Sequence, residues 1–234
     1  MKALDAVIGM IFPRTCAVCG ERADAESGYA LCGACRNTFE LEKISRCAGC
    51  GKPSKDCRCR PSVYYRKNTE YIHLIEYKSE FSKRLIFSLK RRGLRPTVDF
   101  LAGELAKAVA QRDDISYVAF APRSKSSVGE YGFDQSKLLA RALAKKLGVR
   151  FVPLISHTKR SVEQKTLGLS GRVDNAADSY SLSKNKAVQG TLIIVDDVIT
   201  SGATAKTLCE LGEFAGAERI IVLTVAKTAA HKNF

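Results

Sequence analysis

Apolar positions change their spacing along this chain, and the change divides it. Leu4, Val7, Ile8, Ile11 and Phe12 share one helical face ahead of Pro13, which reads as a short docking helix. From about residue 71, short apolar runs alternate with helical ones. "YIHLIEY" (71–77), "YVAFAP" (117–122), "RFVPLI" (150–155), "TLIIVD" (191–196) and "RIIVLTVA" (219–226) read as strands. Between them, "TVDFLAGELAKAVAQR" (97–112) and "DQSKLLARALAKKLG" (134–148) carry helical spacing, the second with Asp134 as N-cap and Gly148 as stop. This alternation predicts an α/β fold: a mostly parallel sheet flanked by helices, with its site at the carboxyl ends of the strands. The polar stretch 157–190 is long for a connection and reads as a lid, a binding loop or a disordered segment.

The first sixty residues have a different texture, set by cysteine. Eight of the nine cysteines form Cys16-x-x-Cys19, Cys32-x-x-Cys35, Cys47-x-x-Cys50 and Cys57-x-Cys59. A two-residue gap lets both thiolates enter one tetrahedral Zn²⁺ site. No secretory signal is legible, because Asp5 interrupts the apolar N-terminus and no small-residue cleavage site precedes the cysteines. A cytoplasmic protein and metal ligation are therefore expected, not disulfides. The simplest assignment gives Cys16, Cys19, Cys32 and Cys35 to one zinc and Cys47, Cys50, Cys57 and Cys59 to a second. Cross-bracing, first pair with third and second with fourth, is the alternative. Four thiolates leave no open position, so the zinc is structural. The ninth, Cys209, falls on a predicted helix and reads as a small core residue. Residues 1–62 thus read as an N-terminal helix and zinc-binding module, and 63–234 as the larger domain.

Charge adds a candidate surface. The net charge is +14, which favours polyanionic partners such as nucleotides, nucleic acid or anionic lipid, though it also suits a merely basic, soluble surface. "FSKRLIFSLKRRGLR" (81–95) concentrates Lys83, Arg84, Lys90, Arg91, Arg92 and Arg95 without an acid. Phe81, Leu85, Ile86 and Leu89 supply its buried face, and Gly93 its C-terminal stop. Cations in a last turn also suit the helix dipole.

The strongest chemical pattern is "LIIVDDVITSGATAKT" (192–207). A buried strand ending at Val195 would bring Asp196 and Asp197 out at the edge of the sheet. Thr200, Ser201, Gly202, Ala203 and Thr204 would then turn into a helix. Small residues, hydroxyls and the unpaired N–H groups of a helix start favour an anion. The acids are suited to vicinal hydroxyls or to a cation. A 5-phosphorylated ribose has that polarity, and the Lys-bearing spacing of a Walker loop is missing. A plain strand–turn–helix corner is the competing reading, and packing gives it no reason for two adjacent acids.

"LIIVDDVITSGAT" resembles the signature for 5-phosphoribosyl 1-diphosphate (PRPP) in type I phosphoribosyltransferases. With the cysteine-rich head, the chain resembles the ComF-type competence proteins over nearly its whole length. "LKRRG" (89–93) is similar to that family's Leu-Lys-x-Arg-Gly element, and "YGFDQSKLLARALA" (131–144) to its Arg-Gly-Phe-Asn-Gln segment and helix. Gln164, Leu167, Arg172 and Asn175 keep the spacing of its variable loop. The resemblance implies a type I phosphoribosyltransferase-like domain behind a zinc module. In it Asp196 and Asp197 would be the catalytic acids on the ribose hydroxyls, the second nearer the metal. Thr200 to Thr204 would hold the 5-phosphate, while Arg123, Ser124 and Lys125 would meet the diphosphate with Mg²⁺. The implied chemistry displaces diphosphate from the anomeric carbon through an oxocarbenium-like transition state.

Two departures stand out. Tyr131 occupies a place where the family has Arg, and Asp134 one where it has Asn, so only Arg123 and Lys125 are left as cations in that loop. PRPP binding is therefore better supported than efficient turnover onto an acceptor. The resemblance also implies natural competence, with the basic stretch and zinc head meeting single-stranded DNA or a helicase-type competence protein.

Overall fold

A computed structural model of the chain describes residues 14–45, 50–59, 68–158, 179–184 and 186–228. The expected docking helix, Cys47, and the loop residues Gln164, Leu167, Arg172 and Asn175 lie outside the described residues. Helix α1 is Gly33–Ile44, followed by strand β1 (Thr69–Glu76), α2 (Glu80–Arg92), α3 (Arg95–Ala108) and β2 (Ile115–Phe120). Next come α4 (Lys125–Tyr131), α5 (Gln135–Leu147), β3 (Arg150–Phe151), β4 (Ile155–His157) and β5 (Tyr180–Leu182). The chain continues through β6 (Gly190–Ile199), α6 (Ala203–Phe214) and β7 (Ala217–Lys227). Five strands form an all-parallel sheet in the order β1-β7-β6-β2-β3. β4 and β5 make a separate antiparallel pair.

The alternating expectation is met in type, with three changes of extent. "RFVPLI" does not make one strand. Pro153 lacks the N–H a ladder needs, and the run splits into β3 on the large sheet and β4 on the small one. β6 does not end at Val195. It continues to Ile199, with Asp196 opposite Thr224 and Ile199 opposite Lys227. The basic stretch 81–95 is two elements: α2 stops at Gly93, whose φ is 52°, and Arg95 opens α3 beside Pro96. The local signals read correctly at α5, where Asp134 Oδ1 accepts from Lys137 N at 3.1 Å and Gly148 closes the helix at φ 69°.

Both faces of the sheet are covered. On one, Ile72, Leu74, Ile193, Val195, Ile221 and Leu223 pack with α2, α3 and α5. On the other, Leu192, Ile194, Ile220 and Val222 meet Leu208 and the buried Cys209 of α6. The cysteine-rich head shares the first of these cores. Phe39 of α1 is fully buried, with its ring 5.2 Å from that of Phe100 and 6.5 Å from that of Phe81. Lys43 Nζ adds an ion pair to the buried Glu104 at 2.5 Å.

Gly93 is held by more than its dihedral angle. A Cβ there would sit 2.6 Å from the Phe133 ring, so the end of α2 lies directly against the segment leading into α5. Gly93→Ala is expected to lower unfolding free energy by about 2–3 kcal/mol, from left-handed backbone strain plus overpacking. Urea unfolding measures this, and a change below about 0.5 kcal/mol, the size usual for an exposed surface site, would show the contact to be soft.

Candidate functional site

The site is assembled where β6 runs into α6. Gly202 adopts φ 87° and forms the N-cap, and the first intrahelical bond runs from Lys206 N to Gly202 O at 2.8 Å. The amides of Thr204 and Ala205 therefore have no intrahelical acceptor and face the turn. Asp196, Thr200, Ser201, Gly202, Thr204 and Thr224 line a cavity of about 60 Å³ at this corner. Thr224 Oγ1 is buried there without a hydrogen-bond partner among the described residues. An orphaned hydroxyl, free helix amides and a carboxylate in one cleft suit a polar anionic ligand.

Tertiary structure gives the two adjacent acids different surroundings. Asp196 is half-buried and faces the cavity, its Oδ1 accepting from Ser136 Oγ at 3.1 Å and from Asp197 N at 2.8 Å. Asp197 is 5% exposed and does not line the cavity. Its Oδ2 accepts from Gln135 Nε2 at 2.7 Å and lies 3.4 Å from Lys90 Nζ, while Oδ1 takes Val198 N at 2.7 Å. Gln135 Oε1, also buried, has no donor among the described residues. Of these groups the cavity-facing Asp196 carboxylate is a hard oxygen donor, which suits Mg²⁺ better than a sulfur- or nitrogen-seeking metal.

Desolvation, then the neighbouring Asp197 charge, pushes the Asp196 carboxyl from 3.8 up to about 8. The folded chain thus holds this proton more tightly than the unfolded chain. The resulting stability is full below about pH 3.8 and is lost as pH rises through about 8. Asp196→Asn, which mimics the neutral acid, is expected to melt higher than wild type, by a margin that widens from pH 4 to about pH 8 and then levels. A margin independent of pH in thermal melts would refute the assignment.

The loop after Pro122 is fixed from α5. Asp134 Oδ2 accepts from Arg123 N at 2.9 Å, so the residue that caps α5 also ties down the loop. Ser124 in turn caps α4, its Oγ accepting from Ser127 N at 3.2 Å, and Lys125 is exposed at that helix start. Arg123 Nη1 is shut off from solvent with no partner among the described residues. On the far side, Tyr180 of β5 stands over Thr204 within hydrogen-bonding reach. Burial, followed by the Asp196 charge, raises its phenol.

Five of the six cations of the basic stretch are exposed, and Lys90 is half-buried. Lys83, Arg84, Arg91 and Arg92 are the exposed ones on α2, with Arg84 paired to Glu80 at 2.8 Å. Arg95 pairs with Asp99 at 3.6 Å on α3. Lys90 turns to Asp197, and Arg91 stacks over the Tyr131 ring at 5.0 Å. Sequence reading missed Gln135, Ser136, Tyr180 and Thr224 as site residues. The Phe-Asp-Gln segment carried a signal for the first two, whereas Thr224 is placed only by strand register and Tyr180 only by the β4–β5 pair.

The cysteines group in sequence order, not cross-braced. The sulfurs of Cys16, Cys19, Cys32 and Cys35 lie within 4.8 Å of one another, as do those of Cys50, Cys57 and Cys59. Cys19–Cys32 and Cys50–Cys57 are each 3.6 Å apart. A Zn–S bond of about 2.3 Å implies tetrahedral sulfur–sulfur edges of about 3.8 Å, so both donor sets suit a structural zinc. Among the described residues no helix is long and apolar enough to cross a membrane.

Comparison with known proteins gives two family matches. Residues 7–63 match the double zinc ribbon domain, and residues 134–233 match the phosphoribosyl transferase domain. "Competence protein F" of Haemophilus influenzae is 30% identical over 99 residues, 41% of this chain and 43% of that protein, so the match spans less than half of that relative. "DNA utilization protein YhgH" of Salmonella typhi is 27% identical over 220 residues, covering 87% of this chain and 93% of that protein. Among solved structures, adenine phosphoribosyltransferase from Thermoanaerobacter pseudethanolicus aligns at 20% identity and a TM-score of 0.37, covering 56% of this chain and 80% of that one.

Proposed function

We propose that this chain, a homologue of competence and DNA-utilization proteins that joins a double zinc ribbon to a phosphoribosyl transferase domain, binds PRPP with Mg²⁺ at the β6–α6 corner. The observation that carries the reading is the cavity in which Asp196 and the orphaned Thr224 hydroxyl share a wall with the free amides opening α6. In this reading the Thr204 and Ala205 amides, with the hydroxyls of Thr200, Ser201 and Thr204, hold the 5-phosphate. Asp196 accepts from the ribose hydroxyls, and Asp197 keeps Gln135 and Lys90 in place beside it. Arg123, Ser124 and Lys125 face the diphosphate. The Asp196 carboxylate is the cavity-facing oxygen donor that would hold Mg²⁺, and the ion would offset the charge of the leaving group.

Transfer would break the bond from the anomeric carbon to the diphosphate oxygen and form one to a nucleophilic acceptor. The diphosphate departs with its electron pair. Mixing the protein with Mg²⁺–PRPP and a panel of bases and amines, and measuring diphosphate release, tests this. A second reading is favoured by the cation-poor loop, in which Tyr131 stands among Arg123 and Lys125. Here the protein is a PRPP-gated module that binds single-stranded DNA or a helicase-type partner through the zinc head and the exposed Lys83, Arg84, Arg91, Arg92 and Arg95. PRPP binding without release from any acceptor favours the module, and DNA affinity should then fall steeply with salt.

A further inference from the structure

The loop after Pro122 carries only Arg123 and Lys125 as cations, and the fold brings a further one from elsewhere. The Tyr131 ring has two guanidinium groups against it: Arg123 from the loop and Arg91 from the last turn of α2, each 5.0 Å from its centroid. Arg91 also lies 5.3 Å from the Phe87 ring, so it is held between two aromatics. One residue earlier, Lys90 reaches Asp197. The left-handed Gly93 and its contact with Phe133 press this turn against the segment entering α5. The end of the basic helix therefore bridges from the acid pair to the loop after Pro122.

We infer that Arg91 acts with Arg123 as a diphosphate-holding residue, with the Tyr131 ring as the spacer that orients both guanidinium groups. The inference rests on the PRPP reading of the same corner. A guanidinium lying on an aromatic face keeps its in-plane N–H donors free, and those donors match the oxygens of a phosphoryl group bidentately. Arg123 Nη1, screened from solvent and without a partner among the described residues, is one such unused donor. A cation merely suited to the helix C-terminus would need neither ring. Tyr131 in place of the usual cation thus costs the site little, since the ring recruits Arg91 from α2.

The test is calorimetric titration of wild type, Arg91→Ala and Arg91→Lys with three ligands: Mg²⁺–PRPP, Mg²⁺–diphosphate and ribose 5-phosphate. Arg91→Ala is expected to weaken PRPP and diphosphate at least tenfold while leaving ribose 5-phosphate within twofold. Arg91→Lys should fall between, because it keeps the charge and loses the fork. Equal weakening of PRPP and ribose 5-phosphate would mark a general structural effect and overturn the assignment. So would unchanged PRPP affinity in Arg91→Ala. If wild type binds neither PRPP nor ribose 5-phosphate, the reading of the corner itself fails, a result separable from failure of Arg91 alone.

Discussion

Titration of Mg²⁺–PRPP into the Asp196→Asn/Asp197→Asn variant is expected to give a dissociation constant at least 100-fold above that of wild type. Asp196 is the carboxyl that faces the cavity, and Asp197 keeps Gln135 and Lys90 in register behind it. Each charge-assisted hydrogen bond lost is worth about 1.5–3 kcal/mol, so two such losses amount to about 3–6 kcal/mol, or a factor of 10² to 10⁴. The single variants should separate the two roles. Asp196→Asn removes the charge that the cavity-facing group can carry and leaves only an amide oxygen to accept. Asp197→Asn leaves Asp196 in place but releases Lys90, which is only partly exposed, so it should lower thermal stability as well as affinity. Retention of wild-type affinity by the double variant would remove the ribose from this corner.

Removal of zinc is expected to disturb far more than the ribbon. Phe39 belongs to the same core as Leu85 of α2 and Leu101 of α3, and its position depends on Cys32 and Cys35 at the start of α1. Structural zinc contributes about 10–16 kcal/mol of folding free energy in small ribbons, and truncating a buried Phe costs about 3–5 kcal/mol on its own. Chelation, or Cys16→Ser, should therefore unfold residues 14–45 and lower the melting temperature of the whole chain in one transition. Hydrogen exchange should show lost protection in α2 and α3 together with the ribbon. A chelated protein that keeps the protection of α2 and α3 would show that the two modules fold independently.

Local patterns made much of the fold legible. The alternation of strands and helices, the Asp134 and Gly148 caps and the burial of Cys209 all follow from spacing within one element. Zinc ligation was legible for the same reason, because two-residue gaps fix sulfur geometry within a single turn. The Asp-Asp-x-x-Thr-Ser-Gly-Ala-Thr run brought acids, hydroxyls and helix amides to one corner, since a strand end, a turn and a helix start are consecutive in the chain.

Side-chain direction between distant elements was not legible. The extension of β6 through Ile199 comes from its pairing with β7, and strand alternation then turns Asp196 to the cavity and Asp197 away. Lys90 and Arg91 read as part of an outward basic face, whereas in the fold Lys90 lies beside Asp197 and the still exposed Arg91 lies on the Tyr131 ring. The burial of Phe39 against Phe81 and Phe100, which makes the zinc head part of the larger core, likewise joins segments whose own patterns say nothing of each other. The sequence by itself determined which functional groups fall together along the chain. Packing decided which atoms face it, because a periodic pattern shows that a residue is buried but not what it is buried against.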